Sequence, residues 1–192
     1  MRIFVAGATG VIGAALAPLL VYSGHTVAGM TRTPQLAPAL EAAGIEPVVC
    51  DVYDRERVIA EVERFAPEAV IHQLTDLPDD AAEIPAHAER NLRIRTEGTA
   101  NLLAAAEAAG VSRILVQSIA WKLTGPRAEA METFERSVLD AGGVVIRYGQ
   151  FYGPGTYYAQ ELPDGPRIAV PAAARRTAEL LDAPSGIVEL VE

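Results

Sequence analysis

A chain of 192 residues, half of them hydrophobic and 21% charged, has the composition of an ordinary globular domain with one substantial core. Its formal net charge of −9 excludes the concentrated basic surface that a nucleic-acid partner requires, and no apolar run reaches the roughly 18 residues of a membrane span. With Cys50 as its only cysteine, the chain has no intrachain disulfide, which fits a reducing cytoplasm.

In chain order, short apolar runs alternate with longer helical patterns, and the first strand begins at once, with no signal core ahead of it. Ile3 to Ala6 reads as strand one and Val11 to Tyr22 as the helix after it. His25 to Thr31 is a second strand, and Leu36 to Ala43 is helical until Gly44 stops it. Glu46 to Asp51 reads as strand three, and Arg55 to Phe65 as a helix with Val58, Ile59, Val62 and Phe65 on one face. Glu68 to Leu74 is strand four, and a long helix runs from about Ala86 to Ala109, ending at Gly110. Ser112 to Ile119, Ala128 to Ala141 and Gly143 to Gly149 continue as strand, helix and strand. Near the end, Ala172 to Leu181 is helical and Gly186 to Val191 extended. This alternation predicts an α/β fold, a doubly wound parallel sheet with helices on both faces, in a single domain over 1–192.

The junction of strand one and its helix holds Gly7, Gly10 and Gly13, spaced G-x-x-G-x-x-G. The first glycine permits a tight turn, the second lets backbone approach a pyrophosphate, and the third lets helix and sheet pack closely. Amides and the helix dipole around Thr9, Val11 and Ile12 then face the phosphates. A plain structural turn would use glycines too, but here they sit between a strand and a helix, the context that nucleotide binding requires. At the end of strand two the acid that bonds adenosine ribose hydroxyls in NAD sites is missing, and Thr31 and Arg32 stand there instead. A guanidinium at this place clamps a 2′-phosphate, so NADP(H) is favoured over NAD(H). Asp51, followed by Val52 at the tip of strand three, either meets the adenine amino group or caps the local turn.

Six segments in order, "VAGATGVIG", "TRTP", "VVCDVYD", "VIHQLTDLP", "NLRIRTEGTANLLAAAEAAGVSRILVQSIA" and "IRYGQFYGPGT", resemble the extended and atypical short-chain dehydrogenases/reductases, among their NAD(P)-dependent epimerase/dehydratase-like members. The resemblance implies a Rossmann-type fold with the dinucleotide across the C-terminal ends of the strands. It also implies Leu74 and Thr75 near the central riboses, Gln117 and Ser118 beside the nicotinamide, and Gly149 to Tyr152, including Phe151, covering that ring. Active dehydrogenases of this family transfer a proton through a tyrosine assisted by a lysine four residues later. The only lysine here is Lys122, and Ser118, not a tyrosine, stands four residues before it. Ser118, Tyr152 and Lys122 remain as catalytic candidates; each also has a plain structural or solvated reading. No metal site is expected.

After "FYGPGT" the chain is shorter than the family's usual substrate-binding region, so a reduced C-terminal substrate lobe is expected, with about 156–192 a vestigial tail. Three functions stay open. The first is an NADP(H)-dependent oxidoreductase or epimerase acting on a small-molecule substrate with a nonstandard proton donor. The second is a non-redox cyclase, isomerase or dehydratase for a hydrophobic metabolite, and the third a non-enzymatic NADP(H) sensor. The resemblance also suggests a homodimer through the long helix; neither nucleic acid nor membrane is expected as a partner.

Overall fold

The computed structural model describes all 192 residues. The order is β1 (Arg2–Ala6), α1 (Val11–Tyr22), β2 (Thr26–Thr31), α2 (Ala37–Ala42), β3 (Glu46–Val49) and α3 (Arg55–Phe65). There follow β4 (Ala69–His72), α4 (Ile84–Arg93), α5 (Thr99–Ala108), β5 (Arg113–Ile119), α6 (Pro126–Asp140) and β6 (Val144–Tyr148). The chain ends with β7 (Gln150–Tyr152), β8 (Arg167–Ala169), α7 (Val170–Glu179) and β9 (Gly186–Leu190). Seven strands form one parallel sheet in the order β3-β2-β1-β4-β5-β6-β9, and β7 pairs with β8 in a separate parallel ribbon. The order reverses between β1 and β4, which puts a crevice at the carboxyl ends of those strands.

Strand alternation divides the core. Ile3, Val5, Ile71, Leu115 and Ile146 face one side, where α1, α2 and α7 bring Leu16, Leu20, Leu40 and Ala173. Phe4, Val70, Val116 and Val145 face the other, against Val58, Val62, Leu102, Phe134 and Val138 of α3, α5 and α6. Each fully buried aliphatic side chain contributes about 1.5–3 kcal/mol, so the two-sided apolar strands hold the sheet. No helix is long and apolar enough to cross a membrane.

The long helix predicted from Ala86 to Ala109 is interrupted by a π-helical turn, Ile94–Gly98, between α4 and α5. Periodicity does not reveal it, because one wider turn leaves apolar residues on the same general face. Within 156–192, expected as a vestigial tail, regular structure runs from Arg167 onward. There α7 packs against α1 and β9 pairs with β6 as the seventh strand, so these residues complete the domain itself.

Candidate active site

The ends of the first four strands open into a cleft of about 150 Å³. Of the residues expected at a cofactor, Gly7, Thr9, Gly10, Arg32, Asp51, Val52, Leu74 and Thr75 line it. Gly7 has a φ of +86°, and a Cβ there would lie 2.9 Å from the Gln73 backbone. At Gly13 a Cβ would stand 2.0 Å from the Gly7 carbonyl oxygen, so α1 reaches the loop only because that side chain is missing. A Cβ at Gly10 would meet nothing nearer than the Gly7 oxygen at 3.4 Å, leaving the space above the loop open. Gly10 is the N-cap of α1, with no side-chain cap and no acidic residue in the first turn, so the terminal amides and the positive helix end are free to face an anion. Val11 is exposed at that end, whereas Ile12 is buried in the core.

The rim is polar. The Thr9 and Thr31 hydroxyls lie 3.0 Å apart, and Thr31 Oγ1 also accepts from the Thr33 amide. Arg32 Nη2 donates to Asp76 Oδ1 at 3.0 Å, and Arg90 of α4 donates to both oxygens of the same carboxylate. Burial opposes ionisation of Asp76, but the two guanidiniums outweigh it and hold its carboxyl below the usual value. Asp51 Oδ1 accepts from the Tyr53 amide at 3.0 Å, which is the turn-capping arrangement. Neither Asp76 nor Arg90 was singled out in the sequence. The available signal was the place of Arg90 one helical turn before Ile94, which lines the cleft.

Two buried groups shape the cleft wall. His72 Nδ1 accepts from the Leu74 amide and Nε2 lies 2.9 Å from Thr99 Oγ1, which sets the neutral tautomer protonated at Nε2. Burial, reinforced by the Arg95 charge, pushes its pKa down to about 3. Gln73 is held by a directional chain: Thr177 donates to the Ala173 carbonyl, so it accepts from the Tyr148 hydroxyl, which accepts from Gln73 Nε2. Gln73 Oε1 is thereby left as a buried acceptor without a partner in the wall of the cleft. Burial raises the Tyr148 pKa to about 12, which ties that hydroxyl to packing.

The three catalytic candidates are not brought together. Ser118 is fully buried, and its hydroxyl donates to Glu135 Oε1 at 2.5 Å, beneath the sheet on the α6 side. Glu135 is also bound by Arg147 at 2.6 and 3.0 Å, so Ser118 belongs to a buried structural network. Tyr152 donates to the Glu192 carboxylate at 2.6 Å, and this bond, with some burial, raises its pKa. Lys122 is exposed on the loop after β5. In this structure the Ser118 and Tyr152 hydroxyls are both bonded to carboxylates. At Gly149 a Cβ would come within 2.5 Å of the Arg167 backbone. Phe151 packs on Tyr148 with ring centroids 5.1 Å apart, and Gln117 gives its carbonyl to the buried Arg95 guanidinium.

A parallel doubly wound sheet with a glycine-loop cleft at its switch point defines a dinucleotide-binding α/β protein. The profile of the NAD dependent epimerase/dehydratase family matches residues 3–137, and the chain belongs to that family. It is 40% identical over 185 residues to a 3-diazoavenalumate denitrifying reductase of a Streptomyces species, an alignment covering 84% of this chain and 60% of the relative. It is 31% identical over 116 residues to a 3-beta-hydroxysteroid dehydrogenase of Mycolicibacterium neoaurum, covering 59% of this chain and 31% of that protein. The chain therefore spans less than two thirds of the length of these curated relatives. Among solved structures, Thermus thermophilus UDP-glucose 4-epimerase in complex with NAD superposes with a TM-score of 0.78 at 20% identity, over all of this chain and 78% of that one. That likeness concerns the fold.

Proposed function

We propose that this chain is an NADP(H)-dependent reductase whose substrate is a small aromatic carboxylate bearing a diazo group. The observation that carries the reading is a cleft with nucleotide-binding features and no tyrosine–lysine pair, the hydroxyls of Ser118 and Tyr152 being bonded to carboxylates. The residues fit the cofactor: the Gly7–Gly13 loop and the bare end of α1 suit a pyrophosphate, and Arg32 suits a 2′-phosphate. When bound, the reduced nicotinamide supplies a hydride.

Carbonyl reduction leaves an alkoxide and needs a proton donor at the oxygen, the task of the missing tyrosine. Reductive loss of dinitrogen has no such requirement. Hydride forms a C–H bond at the ring carbon, the C–N bond breaks, and its electron pair leaves with N₂. No proton enters the balance, so a site without the tyrosine and lysine suffices. The denitrifying reductase named above supports the substrate class. This chain's own residues have to bind, orient and exclude water, which Leu74, Thr75 and Ile94 assist by walling the cleft.

The test is incubation of the protein with an aryl diazonium carboxylate and NADPH deuterated at the transferring carbon, against a heat-denatured control. The expected result is enzyme-dependent nucleotide oxidation, N₂ release, and deuterium at the former C–N carbon. Product hydrogen drawn from solvent, or no rate above the control, would overturn the proposal.

A further inference from the structure

We propose that Arg90 is the second guanidinium of a 2′-phosphate subsite, with Asp76 as the spacer that sets it against Arg32. This deepens the NADP(H) reading above and rests on it. Arg32 leaves the end of β2 and lines the cleft, whereas Arg90 comes from α4, on the face it shares with the cleft residue Ile94. Both Nη2 atoms are 3.0 Å from one oxygen, Asp76 Oδ1, and Arg90 Nε is 3.0 Å from Oδ2. The two guanidiniums are thus no more than about 6 Å apart, a span that separate oxygens of one phosphate can bridge.

Burial decides which partner is available. The Asp76 side chain is 7% exposed, and its backbone amide is fixed by Asn91 Oδ1 at 3.1 Å. The arginine side chains are 55% and 56% exposed, so the donors not spent on Asp76 remain open to solvent, those of Arg32 beside the cleft it lines. Each guanidinium has five N–H donors, of which Arg32 commits one side and Arg90 one edge. Two cations against one carboxylate leave a net positive charge, which a phosphate dianion uses and a ribose hydroxyl does not. Asp76 holds both forks at a fixed separation, reducing the side-chain ordering left to binding. The acid missing at the end of β2 removes the competing demand for a free 2′-hydroxyl.

The experiment is calorimetric titration of the full chain with 2′,5′-ADP and with 5′-ADP, comparing wild type, Arg32→Gln, Arg90→Gln and Arg90→Lys, with thermal melting as the folding control. The wild type is expected to favour 2′,5′-ADP, and Arg90→Gln to lower that preference about tenfold while 5′-ADP affinity stays unchanged and melting remains cooperative. Arg90→Lys keeps the charge and loses the fork, so it recovers only part of the preference. A preference retained in Arg90→Gln but lost in Arg32→Gln overturns the role of Arg90 alone. Equal weakening of both fragments by Arg90→Gln also overturns it, as a general effect on the cleft. Equal wild-type affinity for the two fragments overturns the NADP(H) reading beneath it.

Discussion

His72 makes the stability of the cleft depend on pH in a way that can be isolated by one substitution. Its folded pKa is about 3, against an ordinary value of 6.5 in the unfolded chain. The stability linked to this group is present in full above pH 6.5. It falls as the pH drops below 6.5, because the unfolded chain binds a proton that the folded chain refuses, and it stops falling near pH 3. The slope is about 1.4 kcal/mol per pH unit, so lowering the pH from neutral to 5 costs about 2 kcal/mol from this residue. His72→Asn removes the titration and retains a side-chain acceptor for the Leu74 amide, in the manner of an Asx turn. Urea unfolding at both pH values, for wild type and His72→Asn, gives the contribution as a difference of differences, with other titrating groups cancelling. An equal pH dependence in the two proteins would refute the buried neutral imidazole.

Four further outcomes follow from the geometry. Ser118→Ala should lower stability by about 1–2 kcal/mol in urea unfolding and leave kcat unchanged, because its hydroxyl serves Glu135. Gly13→Ala drives a Cβ toward the Gly7 oxygen, and should cost about 1–3 kcal/mol in chemical unfolding while weakening 2′,5′-ADP binding in calorimetry at least tenfold. Gly149→Ala, which meets the Arg167 backbone, should cost a similar 1–3 kcal/mol, read as a lower urea midpoint, with nucleotide binding tested separately. Tyr148→Phe strips the link between Gln73 and Thr177 and should destabilise by about 1–3 kcal/mol, while the near-neutral pH profile of turnover stays unchanged.

Much of the nucleotide half was legible in the sequence because its constraints are local. Gly7, Gly10 and Gly13 act within one turn and one helix start, and apolar runs such as Ile3 to Ala6 announce buried strands. Arg32 was legible by its place after β2, but its partners were not. Asp76 meets it across 44 positions of sequence and is itself shared with Arg90 of α4, a pairing that only the fold decides. The bond from Ser118 to Glu135 of α6 was not legible for a related reason, since it depends on which way alternation in β5 turns the hydroxyl. The ribbon of β7 and β8 escaped because each strand has three residues, too few for a periodic signal.

The seam between α1 and α7 ties the two ends of the polypeptide into one cooperative unit. Val170, Ala173 and Ala174 sit in the same apolar cluster as Leu16, Ala17 and Leu20, on the helix whose first turn faces the cleft. Amide hydrogens in α7 should therefore exchange with the same opening free energy as those of α1, and ligation at the glycine loop should slow both together. A protease cut between Gly153 and Gly165 would leave this unit joined by packing alone, and a nucleotide would act as glue for the nicked protein, though it touches only one of the pieces.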